Sequence, residues 1–406
     1  MAVRAPHLYY SLRCFCLAAF SLLQADVEAG DDIPFAFEEH AGGLCEYRPL
    51  LRSYVQARAH RLGALADARI ALEELAREPA AAVYGTAHGG GEDALLRTIL
   101  LPLLADVAEA AGGADWRDDS FDRAYAAFEE TLLGERRQYA ALAPLTGLSA
   151  GTSFELAEGL SVRLAADGEL AAHWPEASGL LPERFGRQVD RLLVLELERG
   201  LGQDATAPDA AAEVADAVSA LRLATAAPVA AGPVLFERLD WRPLGIRPVM
   251  PIAATEPPGE PTRLDAFRAR LAADLLAQLG RAEEDPELAE ALDRWELSLF
   301  AEEPYRSEQL REALTALLGG ADGLWAAAVR AAVLLGENGR ERAQELERLR
   351  ALTRGEPAGR SAAEAVRKAL VETVAHGDRA ALIDSLDDAL LGVRPRPAGY
   401  FAAVAS

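Results

Sequence analysis

The sequence predicts an α+β fold that is predominantly helical, with a helical N-terminal region, a small mixed β-sheet domain and an all-helical C-terminal domain. Three observations carry this expectation. Apolar residues recur at helical spacing over residues 44–140 and again over 262–393. Between those regions lie short apolar or alternating runs bounded by glycine and proline, the signature of strands. Capping residues and glycine stops then fall at the ends of the helical runs. At 406 residues, half of them apolar, the chain is long enough for more than one hydrophobic core.

The expected plan runs in order along the chain: residues 1–32 as a signal peptide or a mis-started extension, 33–143 as the helical N-terminal region, 144–256 as the sheet domain, 257–261 as a proline-rich linker, 262–393 as the all-helical domain and 394–406 as a tail. Arg4 and Arg13, the apolar run from Cys14 to Leu23 and the triplet Val27-Glu28-Ala29 together sketch a signal peptide. Asp26 and Glu28, just before the cut, argue against it, and a plain first helix fits the same residues. The cytoplasm is the expected location, with export through residues 1–29 as the alternative. No later segment reaches the roughly 18 uninterrupted apolar residues of a membrane span, so no integral membrane association is expected.

In the N-terminal region, Phe121, Tyr125, Phe128 and Leu132 fall on one helical face, with Asp119 or Ser120 as cap and Gly134 as stop. Before it, "EDALLRTILLPLLADVAEAAGG" is a strongly apolar helix in which Pro102 predicts a kink or break near Leu101. "GTAHGGGED" reads as a flexible linker, and His88 within it as a solvated loop histidine. In the sheet domain, "SFELAEGLSVRLA" reads as two strands about a Glu158-Gly159 turn, and Asp190 to Glu198 as a buried strand. "GPVLFERL" and "GIRPVMPIA" are two more strands, and a helix begins near Asp209. In the C-terminal domain, Thr262, Asp285 (before Pro286), Ser307 and Asp378 are candidate caps, and Ser361 with Glu364 makes a capping box. Gly280, Gly319, Gly336, Gly377 and Gly392 are the stops.

Composition excludes several chemistries. The chain has 41 basic and 64 acidic residues, a formal net charge of -23, so its surface repels phosphate, and nucleic acid and anionic membranes are not expected partners. All but one of the basic residues are arginine. The lone lysine, Lys368, lies in a helical pattern with no glycine loop before it, which removes a Walker A loop and Schiff-base or pyridoxal chemistry. Three cysteines make no disulfide framework. Cys14, Cys16, His40 and Cys45 lack a second paired spacing, so no metal and no cofactor is expected.

One motif tests the case for catalysis. Gly147-Leu148-Ser149-Ala150-Gly151 spells G-x-S-x-G, which in hydrolases places a serine on a turn between a strand and a helix. Here "YAALAPLTG" enters through Pro144, strand patterns leave, and the two later histidines, His173 and His376, do not suit the order serine, acid, histidine. Ser149 is read as part of a connection. His376, just before Gly377, suits a helix end where an imidazole meets the last carbonyls. The acids around Asp118-Asp119, Glu302-Glu303 and Asp387-Asp388 read as solvated surface.

The stretches "ALDRWELSLFAEEPYRSEQLREALTALLGG", "WAAAVRAAVLLGE", "ELERLRALTRGEPAGR" and "AVRKALVETVAHGDRAALIDSLDDALLG" resemble an uncharacterised actinobacterial family whose C-terminal helices are similar in order to HEPN domains, helical modules of prokaryotic toxins and defence proteins. The likeness spans roughly residues 210–393. Active HEPN ribonucleases carry an arginine and a histidine separated by four to six residues, so that the arginine stands five to seven positions before the histidine. No histidine here has that partner; Arg354 aligns, but Gly359 stands where the histidine belongs. The resemblance therefore implies a degenerate module without the ribonuclease motif, and no catalytic residue carries over.

The most distinctive segment is "FERLDWRPLGIRPVMPIAATEPPGEPTRLD". It sets Asp240, Trp241, Arg242, Arg247 and Arg263 among prolines where the sheet gives way to helices, a setting for a ligand or partner site. The alternative is that these residues pack the connection and pair with acids such as Glu237. The functional expectation is a non-catalytic interaction or regulatory protein, binding a protein or a small anion at Arg242 and Arg247. A nucleotide or RNA hydrolase with an unrecognised site is the alternative, and it would gather several arginines in one concave pocket.

Overall fold

The computed structural model of the chain describes residues 4–40, 44–86, 93–134, 137–165, 170, 174, 180, 193–202, 207–240, 242–249, 259–282 and 284–400. The chain is mostly helical, with an antiparallel sheet in its middle region and a helical C-terminal segment. Two compact units form. One contains residues 1–141, 198–208 and 236–247; the other contains 142–197, 209–235 and 248–406.

The first unit opens with α1 (Pro6–Glu28), whose buried stripe is Leu8, Leu12, Phe15, Ala19 and Leu23. Proline suits the first turn of a helix because its missing N–H would have no partner there. Tyr9, Arg13 and Asp26 of α1 are matched as well. Tyr9 donates its hydroxyl to Asp122 at 2.6 Å, Arg13 bonds Asp118 at 2.6 Å, and Asp26 accepts from Arg58 Nε and Arg61 Nη1 at 2.7 Å each. The Tyr9 ring packs edge-on against Tyr125, 4.9 Å between centroids, and against Phe121.

A hairpin follows, β1 (Phe35–His40) and β2 (Leu44–Pro49), antiparallel from Phe35 opposite Pro49 to His40 opposite Leu44. This corrects the expectation of helix from residue 44. Two short runs flank Gly42-Gly43, a glycine pair of the kind that joins hairpin strands, in a window too short for a helical repeat. Five helices complete the region: α2 (Leu51–Gln56), α3 (Ala59–Gly63), α4 (Ala66–Arg77), α5 (Ala82–Thr86) and α6 (Leu101–Ala111), with α7 (Asp118–Leu133) after them. His88 lies outside the described residues.

The break expected at Pro102 takes another form. A π-helical turn at Leu96–Leu100 leads directly into α6, and Leu101 N–H donates to the carbonyl of Leu96, five residues back. The wider turn absorbs the missing proline donor without ending the helix. In α7, Asp118 and Asp119 occupy the first turn and favour its positive end, Arg117 is the residue before it, and Gly134 stops it as expected.

The strands are β3 (Arg137–Thr146), β4 (Leu148–Ser149), β5 (Phe154–Ala157), β6 (Leu160–Leu164), β7 (Leu193–Leu201), β8 (Ala230–Ala231), β9 (Val234–Leu239), β10 (Arg242–Pro248) and β11 (Thr262–Arg263). The main sheet runs β10-β9-β3-β7-β6-β5, with β8 beside β3. β5–β6, β6–β7 and β3–β8 are antiparallel, while the short pair β4–β11 is parallel. β3 begins inside the region expected to be helical. It is buried at nearly every position, so it lacks the alternation that marks a half-exposed strand.

In the second unit, α8 (Ala210–Thr225) starts where expected: Asp209 accepts from Ala212 N–H. The helical segment contains α9 (Ala266–Ala282), α10 (Pro286–Phe300), α11 (Tyr305–Leu318), α12 (Gly323–Leu335), α13 (Gly339–Thr353), α14 (Arg360–His376) and α15 (Arg379–Leu390). Asp285 and Asp378 cap α10 and α15, and Gly377 ends α14 in the left-handed conformation, φ 78°. Three expected caps are not used as such. Thr262 lies in β11 and Asp265 accepts from Arg268 N–H instead. Ser307 lies within the first turn of α11, donating to Glu303 and accepting from Ala358 N–H. Gly359 precedes α14, and Glu364 bonds Arg367 rather than closing a box with Ser361.

A buried ion pair joins α8 to α10. Arg222 and Glu296, with side chains 0% and 2% exposed, meet at 2.5 Å, and Arg222 Nε also donates to Val229 O at 2.7 Å. Burial pushes the Glu296 carboxyl up and the Arg222 guanidinium down from their ordinary values, each opposed by the other. Truncating either partner leaves an uncompensated buried charge. Glu296→Ala should therefore cost about 3 kcal/mol or more, and Arg222→Met with Glu296→Leu should recover much of that loss; urea denaturation compares the three chains.

Asp26 supplies a pH test. Hydrogen bonds from Arg61 and Arg58 hold its carboxyl below the usual range. A depressed folded value gives stability that is present above about pH 4 and lost as pH falls through the folded value. Asp26→Asn should lower the urea midpoint at pH 7, with the difference from the parent chain shrinking as the solution is acidified below that range.

Candidate functional site

The first part of the distinctive segment, residues 236–247, forms the β9–β10 turn and its surroundings in the first unit, while residues 241 and 250–258 lie outside the described residues. Along β9, Leu235, Glu237 and Leu239 are all buried, so strand alternation carries Glu237 inward with two leucines. β9 lies between β3 and β10, and each neighbour supplies one donor. Tyr139 of β3 donates its hydroxyl to Glu237 Oε1. Arg247 of β10 donates Nε to Oε2 at 2.7 Å. Glu237 and Tyr139 are fully buried and the Arg247 side chain is 16% exposed. Arg247 Nη2 is buried with no hydrogen-bond partner among the described residues.

Asp240 turns the chain between β9 and β10. Its φ is 55°, in the left-handed region that aspartate tolerates better than most residues. Its N–H donates to Gln138 O at 2.6 Å, and its Oδ1 accepts from Gln138 N–H at 2.8 Å. Trp241 lies outside the described residues, and Arg242 opens β10. Arg263 belongs to the second unit, in β11, is exposed and pairs in register with Ser149 of β4. The five candidate residues are thus divided between two units. Within the first, Asp240 shapes a turn while Arg247 neutralises a buried acid.

The G-x-S-x-G motif resolves in the second unit. Contrary to expectation, a strand does run toward Ser149, because Pro144 lies within β3, where its carbonyl accepts from Gly232 N–H. The departing chain is strand rather than helix, and among the described residues no imidazole or carboxylate bonds the Ser149 hydroxyl. Gly147 has a local reason to be glycine: φ is 81°, and a Cβ there would lie 2.6 Å from Pro228 O. His376 is the last residue of α14, as expected, but its Nδ1 lies 2.9 Å from Asp378 O, beyond the helix, rather than on one of the helix's last carbonyls.

Arginines are widely engaged elsewhere. Arg330 bonds Asp387, Asp322 and Leu318 O, and Arg379 bonds Asp285 with the carbonyls of Ala316 and Leu317. Arg367 bonds Glu364 and donates to Leu223 O. The buried Arg137 donates to the carbonyls of Ala80 and Gly202. Sequence reasoning did not single out these positions: Glu364 lies three residues before Arg367 and Asp322 eight before Arg330, but Asp387, Asp285, Leu223, Ala80 and Gly202 lie far along the chain from the arginines they meet.

Arg247→Ala should leave Glu237 buried with one donor and lower the stability of the chain by about 3 kcal/mol. Tyr139→Phe should cost about 1 kcal/mol. Urea denaturation checks both, and an Arg247→Ala midpoint equal to that of the parent chain would return Arg247 to the ligand-binding candidates. Comparison with known proteins finds no matching family model, no matching curated protein and no matching solved structure.

Proposed function

We propose that this chain is a non-catalytic interaction or regulatory protein of the cytoplasm, with a protein as its partner and a degenerate HEPN-like module over residues 262–393. One observation carries the reading: among the described residues, the buried arginines are engaged by acids and carbonyls instead of converging on a phosphate-sized cavity. Arg222, Arg330 and Arg367 each bond at least one carboxylate and one backbone carbonyl. Two cavities in the first unit carry one arginine each, Arg52 and Arg97. A phosphate-transferring or RNA-cleaving site needs several cations aimed at one point.

The degenerate HEPN reading is supported by the positions of its two aligned residues. Arg354 follows the last turn of α13 and is exposed, and Gly359 precedes α14, so the link between those helices has an arginine without the histidine that proton transfer would need. The cytoplasmic reading is supported by α1, whose apolar face is buried and whose Tyr9, Arg13 and Asp26 side chains have partners in the first unit. The small-anion version at Arg242 and Arg247 is weakened by the bond from Arg247 to Glu237.

The test is recovery of the chain from its own cells at low salt, with bound protein, nucleotide and RNA identified by mass spectrometry. A stoichiometric protein partner without nucleotide or RNA is expected. Copurifying nucleotide or RNA that the purified chain then hydrolyses would replace this reading with the hydrolase.

A further inference from the structure

An open cavity of about 310 Å³ lies in the first unit, between α3, α4 and the start of the helical run that leads to Pro102. Its size falls at the lower end of small-molecule sites. α3 and its last cap contribute His60 and Ala64, α4 contributes Leu72, and the helical run contributes Asp93, Leu96 and Arg97.

The charged side chains of this wall are unmatched. Arg97 N–H donates to Asp93 O at 3.0 Å, so the two residues stand one helical turn apart. An acid four positions before a base is the order and spacing that favour an ion pair along a helix. Among the described residues, the Asp93 carboxylate and the Arg97 guanidinium nevertheless form none, with each other or elsewhere, and the His60 ring has no hydrogen-bond partner. Arg61, next to His60 in sequence, is by contrast committed to Asp26.

The cavity therefore offers a guanidinium, an imidazole, one carboxylate and the apolar surface of Leu72 and Leu96. A simple carboxylate would meet Arg97 but also Asp93, in a chain whose net charge of -23 repels anions. A simple cation would meet Asp93 but also Arg97. A ligand bearing both charges satisfies both groups and brings no net charge into the acidic field.

We propose that this cavity binds a zwitterionic aliphatic α-amino acid, its carboxylate on Arg97, its ammonium on Asp93 and its side chain against Leu72 and Leu96. A guanidinium can hold a carboxylate by two parallel N–H bonds, which gives such a site its orientation. The site is independent of the protein partner proposed above, and its occupancy stabilises the folded chain by mass action.

The test titrates the full chain with L-leucine by calorimetry. The controls, at matched ionic strength, are 3-methylbutylamine hydrochloride, which lacks the carboxylate, and sodium 4-methylpentanoate, which lacks the ammonium. Leucine should bind saturably, with Kd on the order of 1 mM for so few atoms, and about tenfold or more tighter than either control. Asp93 and Arg97 are exposed, so Asp93→Asn and Arg97→Gln should leave the chain folded. Each should weaken leucine binding about tenfold, Arg97→Gln bringing leucine level with the amine and Asp93→Asn bringing it level with the acid. Ala64→Phe, also at an exposed position, should obstruct the cavity and abolish binding. Should a variant unfold, saturation transfer from the parent chain to the leucine methyls, weaker for the amine and the acid at equal concentration, supplies the second readout. Absence of leucine binding, a control that binds as tightly, or unchanged affinity in either charge variant would each overturn the proposal.

Discussion

The second unit depends on charge brought out of water at the end of α8. Arg222 bonds Glu296 of α10 and Val229 O ahead of β8, and the next carbonyl, Leu223 O, accepts from Arg367 of α14. One helix terminus is thereby tied to a strand and to two helices. Two apolar side chains would pack the same space with a smaller desolvation cost. What they lack is direction: a guanidinium fork fixes both the distance and the rotation of the groups it joins. Phe300 lies under the same guanidinium, 5.0 Å from ring centroid to Cζ, so the fork is held on its flat face too.

The near absence of lysine gives this device its prominence. With Lys368 the single lysine of the chain, cationic contacts to helix carbonyls fall to arginine. Arg330 reaches the end of α11 at Leu318, Arg379 reaches Ala316 and Leu317 there, and Arg396 reaches the end of α12 at Leu334. These are the negative ends of the helix dipoles. Two of the three also bind carboxylates from other helices, Asp387 and Asp285, so a single side chain caps one helix and positions another. A net charge of -23 therefore coexists with a few cations turned inward at such junctions, Arg222, Arg330 and Arg367 among them.

Legibility in the sequence followed the range of the forces involved. The caps at Asp209, Asp285 and Asp378 and the stop at Gly377 were readable because donor and acceptor lie within a few residues. β3 was not, because burial on both faces erases alternation, and the β1–β2 hairpin was not, because its first arm, Phe35–His40, does not alternate in polarity. Ser307 was misread for a related reason: its hydroxyl serves Ala358, 51 residues away. Of the candidate site, the pairing of Arg247 with Glu237 was within reach as an alternative, ten residues apart on adjacent strands. The third member, Tyr139, lies 98 residues from Glu237 and carries no local mark.

The N-terminal helix shows the same limit from the other side. Its mean hydropathy and length satisfy a membrane-span criterion, and a signal sequence or a core helix satisfies it equally. Hydropathy measures only the apolar stripe, which a lipid tail and a protein core accept alike. The polar residues distinguish the two environments, because a hydrocarbon surrounding offers them no partners. In α1 the tyrosine, arginine and aspartate side chains at its two ends each meet an opposite group on α7 or near α2 and α3, and Asp26 receives two guanidinium groups at once. Tyr9, Arg13 and Asp26 thus carry packing information that a hydropathy average does not register, and that average alone leaves a signal sequence and a core helix undistinguished.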